Sequence, residues 1–110
     1  FPTANMDVAE SGQLIPATGV YAVKVKLKNQ PHLLHGMMNI GRRPTFNGTA
    51  LSLEVNIFNF RGDLYGELIE VSFIRHIRKE RKFNSAAELA EQLQQDRTMI
   101  EEQFNKDRDL

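Results

Sequence analysis

The sequence predicts an all-β domain with one C-terminal helix, on three observations. Residues 51–57, Leu-Ser-Leu-Glu-Val-Asn-Ile, alternate apolar and polar, the period of a half-buried strand. Further strand-like stretches, residues 19–27, 33–40 and 66–74, are set apart by clusters of Gly, Pro and Asn. Ser85-Ala86-Ala87-Glu88 then reads as a capping box followed by apolar residues at helical spacing. Short strands between breakers favour an antiparallel barrel or sandwich.

Taken in order, the chain opens on Phe1-Pro2-Thr3-Ala4-Asn5, where Pro2 fixes one backbone angle. Thr3 and Asn5 stand two apart, so in an extended chain they point the same way. Residues 6–18, with Ser11-Gly12 and Pro16, read as a loop. In residues 19–27, Tyr21, Val23, Val25 and Leu27 alternate with Ala22, Lys24 and Lys26. The break at residues 28–32 suggests a hairpin into residues 33–40, where Gly36 marks a bulge or a close backbone approach. Residues 41–48, carrying Gly41, Pro44 and Gly48, are expected to be a loop. After residues 51–57, a turn-bearing link leads to a strand over residues 66–74, and the charge-dense residues 75–82 read as a solvated connection. The helix is expected over about residues 85–104. Leu89, Leu93, Ile100 and Phe104 form its apolar stripe, with Ala86 and Met99 beside it.

The totals exclude several function classes. At 110 residues the chain is one domain. Its 14 basic and 14 acidic residues cancel, so nothing global points to nucleic acid or a membrane surface. It has no cysteine, hence no disulfide or thiolate site, which fits a reducing compartment such as the cytoplasm. No apolar run approaches the roughly 18 residues that span a bilayer, and no signal peptide is visible. The opening at Phe1 without an initiator Met suggests a piece of a longer chain.

Within residues 51–57, Glu54 lies on the polar face between Ser52 and Asn56. A carboxylate held on a strand is well positioned to act as a general base, although an exposed sheet Glu is commonly only solvated. Arg42 and Arg43 beside Gly41 and Pro44 suit phosphate, or are simply a basic turn. His32, His35 and His76 have no metal-ligand spacing, and there is no Walker or Rossmann glycine pattern.

An ordered set of motifs adds a more specific expectation. Phe1-Pro2-Thr3-Ala4-Asn5, Gly19-Val20-Tyr21, Asn39-Ile40-Gly41 with Arg43-Pro44-Thr45-Phe46, and Glu54 come first. Asp63-Leu64-Tyr65-Gly66, and Arg78 with Glu80 and Phe83-Asn84-Ser85, follow. Together, from Phe1 to about Phe104, they resemble the riboflavin kinase (flavokinase) family. The resemblance is strongest to the C-terminal kinase module of bacterial bifunctional riboflavin kinase/FAD synthetase. It implies that residues 1–110 form one kinase domain, a six-stranded Greek-key antiparallel barrel (about residues 1–83) with a C-terminal helix. The implied reaction moves the γ-phosphoryl of ATP to the 5′-hydroxyl of riboflavin, giving FMN and ADP. Thr3 and Asn5 then match the motif for Mg²⁺ and nucleotide phosphate, and Glu54 the catalytic base. Arg78, Glu80 and Phe83 match the flap over the flavin, though Phe83 also suits a hydrophobic staple at the start of the helix. Residues 39–46 and 63–66 match a nucleotide-side wall and a flavin-side turn. The family's first strand and upstream glycine-rich loop are not in this sequence, nor is the N-terminal adenylyltransferase module expected as its partner in the parent chain.

Two other readings stay open at this level. One is a non-catalytic flavin- or nucleotide-binding barrel fragment of such a synthetase. The other is a small barrel binding RNA or protein through Arg42, Arg43 and residues 75–82, against which the zero net charge argues.

Overall fold

The computed structural model describes residues 17–28, 30–60, 62 and 68–108, together with the backbone of residues 4–5. Its elements are β1 (Ala4–Asn5), β2 (Gly19–Leu27), β3 (Leu33–Thr45), β4 (Gly48–Ile57), β5 (Ile69–Arg78) and α1 (Ala86–Arg108). The strands form one antiparallel sheet in the order β1-β4-β3-β2-β5. Three sequential strands with the next returning beside the first, β5-β2-β3-β4, make a Greek-key order.

The expected six-stranded barrel is not formed. A barrel requires its first and last strands to hydrogen-bond. Here the sheet has four long strands and the two-residue β1, and among the described residues β1 and β5 remain its two open edges.

Two apolar sets sit on opposite faces of the sheet. Tyr21, Val23, Val25, Leu27, Met38, Ile40 and Val55 form one, with Leu53 and Ile57 packed against it. Val20, Ala22, Met37 and Phe58 join Ile100 and Phe104 of α1 in the other. The alternation in β2 and β4 therefore sorts side chains as the period of two requires. Ala22, expected on the polar face of β2, is buried because α1 covers that face. Gly36 marks a close approach, not a bulge: a Cβ there would lie 2.5 Å from the Asn56 carbonyl oxygen, and the register runs unbroken through it.

Several boundaries differ from the sequence expectation, among them the end of α1, which runs to Arg108 rather than about residue 104. Residues 41–45 and 48–50 are strand rather than loop, and only Phe46 and Asn47 turn the chain. Gly41 pairs with Ser52 and Pro44 with Thr49. Beyond Ile40, β3 has lost β2 as a neighbour, which is the edge setting in which a strand tolerates proline. The result is a two-stranded arm whose residues 42–49 are all exposed. At the other end, residues 75–78 continue β5 instead of joining a solvated connection. Arg75, His76 and Arg78 pair with Ala22, Tyr21 and Val20 across two register shifts, and so pair the outer side of β2. Gly66 and Glu67, the expected start of that strand, lie outside the described residues.

α1 begins where the capping box predicts. The Glu88 N–H donates to Ser85 Oγ at 3.2 Å, and Glu88 Oε2 accepts from the Asn84 N–H at 3.1 Å. Leu93, Ile100 and Phe104 face the sheet, whereas Leu89 and Met99 are largely exposed. At the far end of the helix the Phe104 ring stacks on His35, centroids 3.8 Å apart.

Candidate active site

The strand register builds the site. Glu54 of β4 is paired with Asn5 of β1 on one side and Asn39 of β3 on the other. Asn39 is in turn opposite Val20 of β2, and Val20 opposite Arg78 of β5. One position from each strand thus lines up in a single row across the sheet. Directly paired residues in a ladder share a face, and Val20 places Asn39 and Glu54 on the α1 side. Glu54 is half-buried there, turned away from the apolar set to which its neighbours Leu53 and Val55 belong.

The next layer along β3 and β4 is Gly41 opposite Ser52, about 7 Å from the row at the usual strand rise. The carboxylate of Glu80 occupies the space above Gly41, with Oε1 2.5 Å from where a Cβ would stand. A glycine is needed for that approach. Sequence reasoning placed Glu54 and Glu80 in separate motifs; the fold sets them in adjacent layers of one face.

Residues 79–84 form the link that carries Glu80 from β5 to α1. Arg78 at its root makes a bidentate ion pair with Asp96: Nε donates to Oδ1 at 3.1 Å and Oδ2 at 3.0 Å, and Nη2 stands 2.9 Å from Oδ2. Arg78 Nη1 also donates to the Lys79 carbonyl at 3.2 Å. The Phe83 ring meets two guanidinium groups, those of Arg81 and Arg78, at 5.0 and 5.7 Å from its centroid.

Asp96, the partner of Arg78, is a residue that no sequence motif marked. It is only 1% exposed and stands among Leu93, Ile100 and Phe104 at helical spacing. An acid at a stripe position was its only trace in the sequence.

Of the expected site residues, the register sets Asn5 opposite Glu54, Arg78 ends β5, and Glu80 and Phe83 stand in the link that follows it. Thr3 and the residues 63–66 turn lie outside the described residues. The 39–46 wall is strand through Thr45 rather than loop. No group of three or more His, Asp or Glu able to hold a metal occurs among the described residues. The side-chain oxygens of Glu54 and Asn39 are of the hard type that Mg²⁺ takes. No helix among the described residues is long and apolar enough to cross a membrane.

An open antiparallel sheet backed by one helix, with Glu54 and Glu80 in adjacent layers of one face, defines a small β-domain with a polar site on its α1 side. The chain belongs to the riboflavin kinase family, whose sequence profile (Flavokinase) matches residues 1–104. It is 43% identical over 105 residues to the bifunctional riboflavin kinase/FMN adenylyltransferase of Haemophilus influenzae, covering 96% of this chain and 33% of that protein. The protein of that name from Bacillus subtilis is 42% identical over 100 residues, covering 88% of this chain and 31% of its own length. A second Bacillus subtilis protein, the RNA-binding riboflavin kinase RibR, is 40% identical over 94% of this chain and 44% of its own. The chain thus spans about a third of the bifunctional relatives. Among solved structures, one from Streptococcus pneumoniae named as a macrolide-efflux protein aligns with a TM-score of 0.82 at 37% identity. That alignment covers 91% of this chain and 32% of the other.

Proposed function

We propose that this chain transfers the γ-phosphoryl of ATP to the 5′-hydroxyl of riboflavin, with Glu54 as general base. The observation that carries the reading is the register, which puts Glu54 opposite Asn5 on the face that Glu80 overhangs. Glu54 takes the proton of the 5′-hydroxyl as that oxygen bonds to the γ-phosphorus. The bond from the γ-phosphorus to the β–γ bridging oxygen breaks, ADP leaves, and the proton remains on Glu54 until it passes to solvent. Phosphoryl transfer depends chiefly on positioning and charge neutralisation, so one oriented carboxylate is sufficient as the base. Thr3 and Asn5 would hold Mg²⁺ and the nucleotide phosphates, and the metal when bound offsets the phosphate charge. Arg78, Glu80 and Phe83 form the flavin side, where Glu80 accepts a hydrogen bond from the ring or the ribityl chain.

The same reading makes residues 1–110 the kinase domain of a longer cytoplasmic protein that carries an N-terminal adenylyltransferase module, with riboflavin, FMN, ATP and ADP as its ligands. The test is incubation with riboflavin, ATP and Mg²⁺, with chromatography for FMN and FAD, on this chain and on one extended upstream. FMN formation that needs ATP supports the kinase. Tight riboflavin binding without FMN from either chain identifies a binding module instead.

A further inference from the structure

We propose that Asp96 is a positioning residue for the flavin side of the site: through Arg78 and Gln92 it ties the flap of residues 79–84 to α1. The inference rests on the reading of that flap as the flavin cover. A buried carboxylate is costly unless it is paired and hydrogen-bonded. Asp96 is fully engaged: besides the bidentate pair with Arg78, its Oδ1 accepts from Gln92 Nε2 at 3.0 Å.

Packing alone would be served as well by an apolar residue at this stripe position. What the acid adds is a fixed attachment point. Gln92 extends it, because its Oε1 accepts from Arg81 Nη1 at 3.1 Å. Two helix residues one turn apart, Gln92 and Asp96, therefore hold the two arginines that contact the Phe83 ring. Glu80 lies in the chain between those arginines, so the same two attachments set where its carboxylate stands over Gly41. The Arg78 guanidinium, committed to Asp96 and the Lys79 carbonyl, acts through the placement of the flap.

The experiment compares the unaltered chain with D96N, R78Q, the double variant and R81A. Riboflavin affinity is read from quenching of flavin fluorescence, Mg-ADP affinity by calorimetry, and flap order from amide hydrogen exchange. A misplaced contact group costs up to two orders of magnitude, so riboflavin binding should weaken about tenfold in D96N and about threefold in R81A. Mg-ADP affinity should stay within about twofold, since only the flavin side is disturbed. Exchange at residues 79–84 should speed up in D96N while β3 and β4 stay protected. The double variant should bind riboflavin no more weakly than R78Q, because the two residues act as one unit. Unchanged exchange at 79–84 in D96N overturns the tether. Faster exchange with unchanged riboflavin affinity overturns its role in binding. If D96N does not fold, R81A decides: unchanged riboflavin affinity there overturns the proposal. An unaltered chain that binds no riboflavin refutes the flavin reading itself, and exchange at 79–84 then decides the tether alone.

Discussion

The Glu80 carboxylate sits over Gly41, with Oε1 2.5 Å from the position a Cβ would take. This relationship joins the flap after β5 to the strand layer beside Glu54. A methyl at Gly41 would push the carboxylate aside, and as Glu80 is an exposed, flexible side chain it can yield. Gly41→Ala should therefore change stability by less than about 1 kcal/mol. It should raise the KM for riboflavin while leaving the KM for ATP unchanged. Urea unfolding and steady-state kinetics check both halves, and an unchanged riboflavin KM would separate Glu80 from the flavin.

Gly36→Ala should behave in the opposite way. Here the added Cβ meets the Asn56 backbone oxygen at 2.5 Å in the middle of the β3–β4 ladder. Backbone cannot swing aside as a side chain does, so the chain should lose about 2 to 3 kcal/mol. A urea midpoint equal to that of the unaltered chain would contradict the close packing of these strands.

Glu54→Gln keeps the shape of the side chain and removes its capacity to accept a proton. FMN formation should fall by about two orders of magnitude or more, the scale of general-base contributions. Riboflavin should still quench on binding. Normal turnover in this variant would remove Glu54 from the base role.

The packing of α1 can be tested by two truncations. Phe104 is 5% exposed and stacks on His35, so Phe104→Ala should cost about 3 to 5 kcal/mol. Met99 is 52% exposed, and Met99→Ala should stay within about 0.5 kcal/mol. Thermal or urea unfolding distinguishes them, and equal losses would mean the helix sits on a different face.

Much of this arrangement was readable from the chain. The alternation of residues 51–57 correctly turned Glu54 away from Leu53 and Val55, because a strand has only two faces. Ser85 and Glu88 announced the start of α1, since capping is a local hydrogen-bonding event. Gly41 and Pro44 misled, because their effect depends on whether a neighbouring strand needs the missing group. Residues 75–78 misled for the reason that their partner, β2, lies some fifty residues earlier in the chain.

By itself the sequence determined what is local: strand periods, the cap, the ordered motifs of a riboflavin kinase, and the candidates Glu54, Arg78, Glu80 and Phe83. Only the tertiary structure decided how these come together. It brought Asn5 and Asn39 to either side of Glu54, hung Glu80 above Gly41, and joined Arg78 to an Asp96 that no motif had marked. Strand register and helix docking are long-range choices, settled by which apolar faces can be buried together, and a motif carries no record of them.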